Sequence, residues 1–75
     1  MDPGTWATAV AAAVRAELNL RRRRVAELAD ALGITEPTLR KRLRGEIPFD
    51  LAELELVAAW FGLTPSELLG RATRH

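Results

Sequence analysis

The sequence predicts an all-α domain, a compact bundle of about five short helices within residues 1–75. Apolar residues recur at intervals of three and four, the spacing of one helix face, and no stretch alternates as a strand would. Capping residues followed by Pro or Glu mark helix starts, and Gly33, Gly62 and Gly70 mark helix ends. A chain of this length makes one domain.

The first helix is predicted over residues 5–22, after an unstructured start at residues 2–4. Thr5 supplies a cap, and an apolar residue recurs every four positions at Trp6, Val10, Val14 and Leu18. Trp6 has two interpretations, a partner contact or a core or lid position. The burial habits of tryptophan favour the core or lid position.

Residues 21–24 are four consecutive arginines. The apolar positions Val14, Leu18, Val25 and Leu28 fit one continuous helix through this segment. They also fit a break, after which the chain folds back. We favour the break, because Leu28 and Leu39 are buried only if the first helix packs against the next two.

The second and third helices are predicted over residues 25–32 and 36–44, joined by a tight turn. Gly33 suits the left-handed position after a helix, Thr35 is a good N-cap, and Pro37 falls in the first turn. Leu39 and Leu43 fix the third helix to the core. Its opposite face carries Glu36, Pro37, Arg40, Lys41 and Arg44. Arg42 lies on the flank of the core face, where it either extends over the core or pairs with an acid.

The last two helices are predicted over residues 51–61 and 65–70. Capping boxes open both, from Asp50 to Glu53 and from Thr64 to Glu67. Ile47 and Phe49 in the preceding loop are expected to tuck into the core. The fourth helix is expected to bury five apolar residues, leaving Trp60 partly exposed: Leu51, Leu54, Val57, Ala58 and Phe61. Residues 71–75 are expected to form a frayed tail.

Charge is unevenly distributed along the chain, although the net charge is only +1. Residues 15–44 carry a net charge of +5 and residues 45–75 a net charge of −3. This asymmetry would orient the domain on a polyanion. With no cysteine and one histidine, His75, the sequence offers no disulfide or zinc site. We find no catalytic constellation, signal peptide or transmembrane run, and expect a cytoplasmic protein that is not an enzyme and has no cofactor.

Residues 25–44 resemble the helix-turn-helix of phage repressor and Cro proteins, the XRE-like, lambda-repressor-like family. The residues that carry the resemblance are Ala29, Gly33, Ile34, Thr35 and Leu39. It continues through Gly45–Asp50 and the apolar residues of the fourth helix, covering about residues 7–70. The resemblance implies a transcriptional regulator, a repressor of the Cro type, that binds a double-stranded DNA operator in a bacterial or phage-infected cell.

The resemblance also implies which residues meet DNA. The predicted base contacts are Glu36, Pro37, Thr38, Arg40 and Lys41. The predicted phosphate contacts are Arg21, Arg22, Arg23, Arg24, Val25 and Arg44. The family often has a phosphate-binding glutamine where Val25 stands, so here the neighbouring arginines would have to supply that contact.

Two further expectations concern partners. The same fold also serves as a protein-interaction module in antitoxins and accessory phage proteins, which is the alternative function. Helix-turn-helix proteins usually read two half-sites, so a weak homodimer that forms on DNA is expected. Its candidate surface is small and consists of Trp60, Leu68 or Leu69, with the tail beyond.

Overall fold

Five α-helices follow one another in the computed structural model, which describes residues 3–72. They are α1 (Pro3–Leu20), α2 (Val25–Leu32), α3 (Glu36–Leu43), α4 (Leu51–Trp60) and α5 (Pro65–Ala72). No strand occurs within residues 3–72, so the predicted all-α fold is confirmed. The expectations for Asp2 and for residues 73–75 lie outside the described residues.

Five helix ends differ from the prediction. α1 ends at Leu20 instead of residue 22, and α3 and α4 end one residue early, at Leu43 and Trp60.

The start of α1 and the end of α5 extend beyond their predicted bounds. α1 begins at Pro3 rather than Thr5, because the first turn needs no N–H partner and accepts proline. Gly70 lies inside α5 instead of ending it, and the helix continues to Ala72. Ala72 is buried, and its packing offsets the low helix propensity of the glycine.

α1 and α2 are separate helices, so the alternative of one continuous helix is wrong. Arg22 has a left-handed φ of 53°, and the Arg22 N–H donates to the Asn19 carbonyl at 3.2 Å. The Arg23 N–H donates to the Leu18 carbonyl at 2.9 Å. These two hydrogen bonds form a Schellman motif, which ends a helix at a left-handed residue. The turn folds α1 back over the chain that follows, as burial of Leu28 and Leu39 requires.

Each helix contributes one large, fully buried side chain to a shared core: Val14, Leu28, Leu39, Val57 and Leu68. α1 packs on α3 and α5, α2 packs on α3 and α4, and α4 packs on α5. Gly45, after α3, has a φ of 77°, and a Cβ there would lie 3.2 Å from the Thr8 Cα. Only glycine therefore allows the chain after α3 to run this close to α1.

Two predicted core residues are exposed. Leu51 is 79% exposed and Ile47 is 41% exposed, whereas Phe49 is buried as expected. Leu51 occupies the first turn of α4, where no other element covers it. It borders a depression of about 340 Å³ that we call the apolar groove. The groove is lined by Trp6, Ala7, Val10, Pro48, Phe49, Leu51, Leu54 and Leu69. Trp6, 37% exposed, takes a lid position rather than a core position.

Capping interactions fix the starts of α4 and α5 as the sequence predicts. The Asp50 carboxylate accepts from the Glu53 N–H at 2.7 Å, and Glu53 accepts from the Asp50 N–H at 2.9 Å. Thr64 and Glu67 make the same reciprocal pair at 3.1 and 2.9 Å. Within the described part of the chain, no helix combines the length and apolar character needed to cross a membrane.

Glu17 ties α1 to α5 from a buried position. Its side chain is 7% exposed, and its two oxygens accept from Arg21 at 3.0 Å and from Arg71 at 2.6 Å. Burial raises the pKa of Glu17, but hydrogen bonds and charge from Arg71 and Arg21 outweigh this effect. The pKa therefore lies below the usual 4.5. Arg71, placed in the frayed tail by the sequence prediction, is an anchor of the fold.

Candidate nucleic-acid interface

The turn between α2 and α3 has the geometry that the sequence predicts. Gly33 has a φ of 70°, and the Ile34 N–H donates to the Ala29 carbonyl at 3.1 Å. The Thr35 hydroxyl caps α3 by accepting from the Thr38 N–H at 3.3 Å. Because Leu39 and Leu43 are buried, the orientation of α3 is fixed and its opposite face is outside.

The outer face of α3 presents the five predicted base-contact residues. Pro37, Arg40 and Lys41 are exposed, while Glu36 and Thr38 are partly covered. The Glu36 carboxylate accepts from Arg40 at 3.1 Å, so these two side chains already pair with each other. The structure therefore brings the predicted base-contact residues together on one accessible surface.

Lys41 differs from Arg40 on this face. It is exposed and takes part in no ion pair among residues 3–72, although its charge helps to lower the pKa of Glu46. The ammonium group is therefore available to a ligand without breaking an internal pair. The Thr38 hydroxyl, in contrast, accepts from the Thr35 hydroxyl at 2.8 Å.

The arginines at the α1–α2 turn divide into two pairs. Arg21 lies inward, where it donates to Glu17 and, at 2.5 Å, to the Phe61 carbonyl, and its guanidinium stacks 5.1 Å from the Phe61 ring centre. Arg23 stacks 3.9 Å from the Trp60 ring centre and pairs with Glu27 at 3.3 Å. Arg21 and Arg23 thus hold the turn against the end of α4.

Arg22 and Arg24 extend outward from the same turn. Arg22 is exposed and forms no ion pair among the described residues. Arg24 is the N-cap of α2, and its side chain is 82% exposed, 3.8 Å from Glu27. The arginine side chain carries only hydrogen-bond donors, so it cannot accept from the free N–H groups in the first turn of α2. Instead the Glu27 carboxylate accepts from the Arg24 N–H at 3.0 Å, which lowers the pKa of Glu27.

A second depression, of about 380 Å³, lies between α1, the start of α2 and the end of α3. We call it the arginine groove. Its lining residues are Arg15, Leu18, Asn19, Arg23, Val25, Arg40, Leu43 and Arg44. None of these is acidic, so four guanidinium-bearing side chains surround an apolar floor. Val25 contributes to this floor, and its side chain has no polar atom with which to contact a phosphate.

Arg15 and Asn19 line this groove but were not among the contact residues predicted from the sequence. They are four residues apart and therefore lie on one flank of α1, beside the apolar stripe. Arg15 also donates to the Leu43 carbonyl at the end of α3, which places its guanidinium at the groove. The spacing was visible in the sequence, but only the packing of α1 on α3 shows what that flank faces.

The remaining predicted phosphate contact, Arg44, is the C-cap of α3 and pairs with Glu46. Both side chains are about half exposed. The neighbouring Arg42 points the other way, and its guanidinium pairs with Glu53 at 2.9 Å, with both side chains largely covered. Arg42 therefore joins α3 to α4, as one of the two sequence interpretations proposed.

The fold and this surface together define the class of protein, a small all-helical domain of the helix-turn-helix kind. The family model of the BetR domain matches residues 5–75. Because this match spans nearly the whole chain, the protein belongs to the BetR domain family. Comparison with curated proteins and with solved structures gave no match.

Proposed function

We propose that this protein binds double-stranded DNA in a sequence-dependent manner as a transcriptional regulator in the bacterial cytoplasm. The observation that carries the proposal is the position of Arg40. It belongs both to the outer face of α3 and to the arginine groove, so the two surfaces are continuous. Sequence-specific binding requires two adjoining surfaces. One is a helix face that reads base edges, and the other is a cationic surface that contacts phosphates.

In this proposal α3 lies in the major groove. Lys41 donates to guanine O6 or N7, Glu36 accepts from a cytosine amino group, and Pro37 contacts a thymine methyl group. Arg22, Arg24 and Arg44 contact phosphates, together with Arg15, Arg23 and Asn19 of the arginine groove. Arg21 would have to leave Glu17 and Phe61 to do so, which makes it the weakest of the proposed contacts. The resemblance to Cro-type repressors supports a repressor role.

Two copies are proposed to pair on adjacent half-sites. The candidate surface is small, because Leu68 is buried, Leu69 is partly buried and Arg23 covers Trp60. This is less than the roughly 1,000 Å² expected of a stable interface. Sedimentation at about ten micromolar should therefore give a monomer without DNA and a pair on a palindromic duplex. A tight dimer in the absence of DNA contradicts this arrangement.

The apolar groove favours a second candidate function, binding of another protein. Leu51 and Trp6 stand exposed at its rim, and no charged residue lines it. Since residues 45–75 carry a net charge of −3, an apolar segment with basic flanks is the partner chemistry that fits.

A DNA titration separates the two candidates. The preferred duplex is first selected from a random library, and its affinity is then measured at several salt concentrations. If four to six cations meet phosphates, log K should fall against log salt with a slope of about −4 to −5 per monomer. A flat salt response, or no duplex selected, rejects the DNA proposal and leaves protein binding.

Variants of α3 then test the base contacts. Lys41→Ala and Glu36→Ala should each relax discrimination at one or two base pairs, by about 1–3 kcal/mol. An equal loss of affinity for every sequence would show that these side chains position the domain and do not read bases.

A further inference from the structure

Three of the four arginines in the arginine groove are held by glutamates that do not line it. Arg40 pairs with Glu36, Arg23 pairs with Glu27, and Arg44 pairs with Glu46. Each carboxylate occupies guanidinium donors that a phosphate would otherwise use. The groove is therefore cationic, but its donors are partly engaged before any ligand arrives.

The pair between Arg44 and Glu46 is the clearest case. The two residues flank Gly45, so the turn after α3 brings both side chains to the same place. The hydrogen bond from Arg44 lowers the pKa of Glu46, and the charges of Arg44 and Lys41 lower it further. Glu46 is therefore ionised near neutral pH. Such an exposed pair contributes little to folding stability, so its main effect is on what Arg44 binds.

We propose that Glu46 competes with DNA phosphate for Arg44 and so lowers the affinity of the protein for DNA of any sequence. Carboxylate and phosphate oxygens accept from the same guanidinium donors with similar geometry. A phosphate contact carries no sequence information, so the competition weakens preferred and random duplexes by the same factor. Glu46 then sets the overall affinity, while the outer face of α3 sets the preference.

Glu36 and Glu27 also pair with arginines of the groove, but they are less suitable for testing this competition. Glu36 lies among the proposed base contacts, so its removal would change discrimination as well as affinity. Glu27 accepts from the Arg24 N–H and supports the first turn of α2, so its removal would also loosen that helix. The Glu46 side chain caps no helix. Only its backbone N–H helps to close α3, by donating to the Lys41 carbonyl at 3.0 Å, and glutamine keeps that bond. Glu46 is therefore the residue to vary.

The test compares Glu46→Gln with Glu55→Gln, which changes the net charge equally. Glu55 is exposed on α4 and forms no ion pair among residues 3–72. At about 100 mM salt, Glu46→Gln should bind the selected and a scrambled duplex about three- to fivefold more tightly. Glu55→Gln should change both affinities by less than about twofold, because no residue of α4 lines the groove and an exposed charge is screened.

A double-mutant cycle assigns the effect to Arg44. In an Arg44→Ala background, Glu46→Gln should no longer raise affinity, because the competed group is gone. Three results would overturn the inference. They are an equal gain in affinity in Glu55→Gln, a gain that persists in the Arg44→Ala background, and a gain for one duplex sequence alone. The inference rests on the proposed function. Failure of the unaltered protein to bind any duplex rejects both, whereas normal binding with no effect of Glu46→Gln rejects the inference alone.

Discussion

The two depressions on this molecule have similar volumes, about 380 and 340 Å³, and opposite chemistry. Four arginines surround the first, and no charged residue lines the second. α1 contributes to both, with Trp6 and Val10 near its start and Arg15 and Asn19 near its end. One long helix thus carries two surfaces of opposite chemistry that share no lining residue, so each can be altered without changing the other.

The largest expected effect lies in the apolar groove. Phe49→Ala removes a buried ring and should lower the free energy of unfolding by about 3 kcal/mol. Leu51→Ala, in the same groove but 79% exposed, should change it by less than about 0.5 kcal/mol. Urea unfolding measures both. Equal losses in the two variants would mean that Leu51 is covered in solution, and that it does not differ from the buried Phe49.

The next effect lies in the arginine groove. Arg15→Ala combined with Arg44→Ala should weaken DNA binding at least about tenfold and make the salt slope shallower by about 2. Leu51→Ala is the matched control, because it alters the other groove and should leave both quantities unchanged. A response to Leu51→Ala, or none to the arginine pair, would show that DNA meets the opposite side of the molecule.

The smallest expected effect concerns acid stability. The pKa of Glu17 is lowered in the folded protein, so its contribution is present above pH 4.5 and is lost as the pH falls through the folded value. Glu17→Gln should therefore lower the free energy of unfolding by about 1 kcal/mol near neutral pH and by much less in acid. Urea unfolding at pH 7 and pH 3 distinguishes this result from a pH-independent loss of packing. In the control Glu55→Gln, the difference in unfolding free energy from the unaltered protein should be the same at pH 7 and pH 3.

Features encoded within three or four residues were predictable from the sequence. Thr35, Asp50 and Thr64 cap the helices that follow them because each side chain reaches an N–H three residues ahead. The break at Arg22 was also predictable, but only from the need to bury Leu28 and Leu39. No glycine marks the turn, and an arginine takes the left-handed position.

Features that depend on which helices meet were not predictable. Leu51 continues the apolar stripe of α4, yet it is exposed because no other element covers the first turn. Arg15 and Arg71 look like ordinary surface cations in sequence. In the fold, Arg15 faces the end of α3, and Arg71 reaches Glu17, 54 positions earlier in the chain. Local patterns predict helices, whereas the site depends on their packing.

Trp6 lines the apolar groove and Trp60 contacts a residue that lines the arginine groove, so the molecule contains its own optical probes. Arg23 lines the arginine groove and lies 3.9 Å from the Trp60 ring centre, so a ligand that moves this guanidinium changes the surroundings of the indole. Trp6 lies in the apolar groove, more than two helical turns from Arg15 along α1. With Trp6→Phe and Trp60→Phe, the fluorescence of the remaining indole reports on one groove at a time, without an attached label.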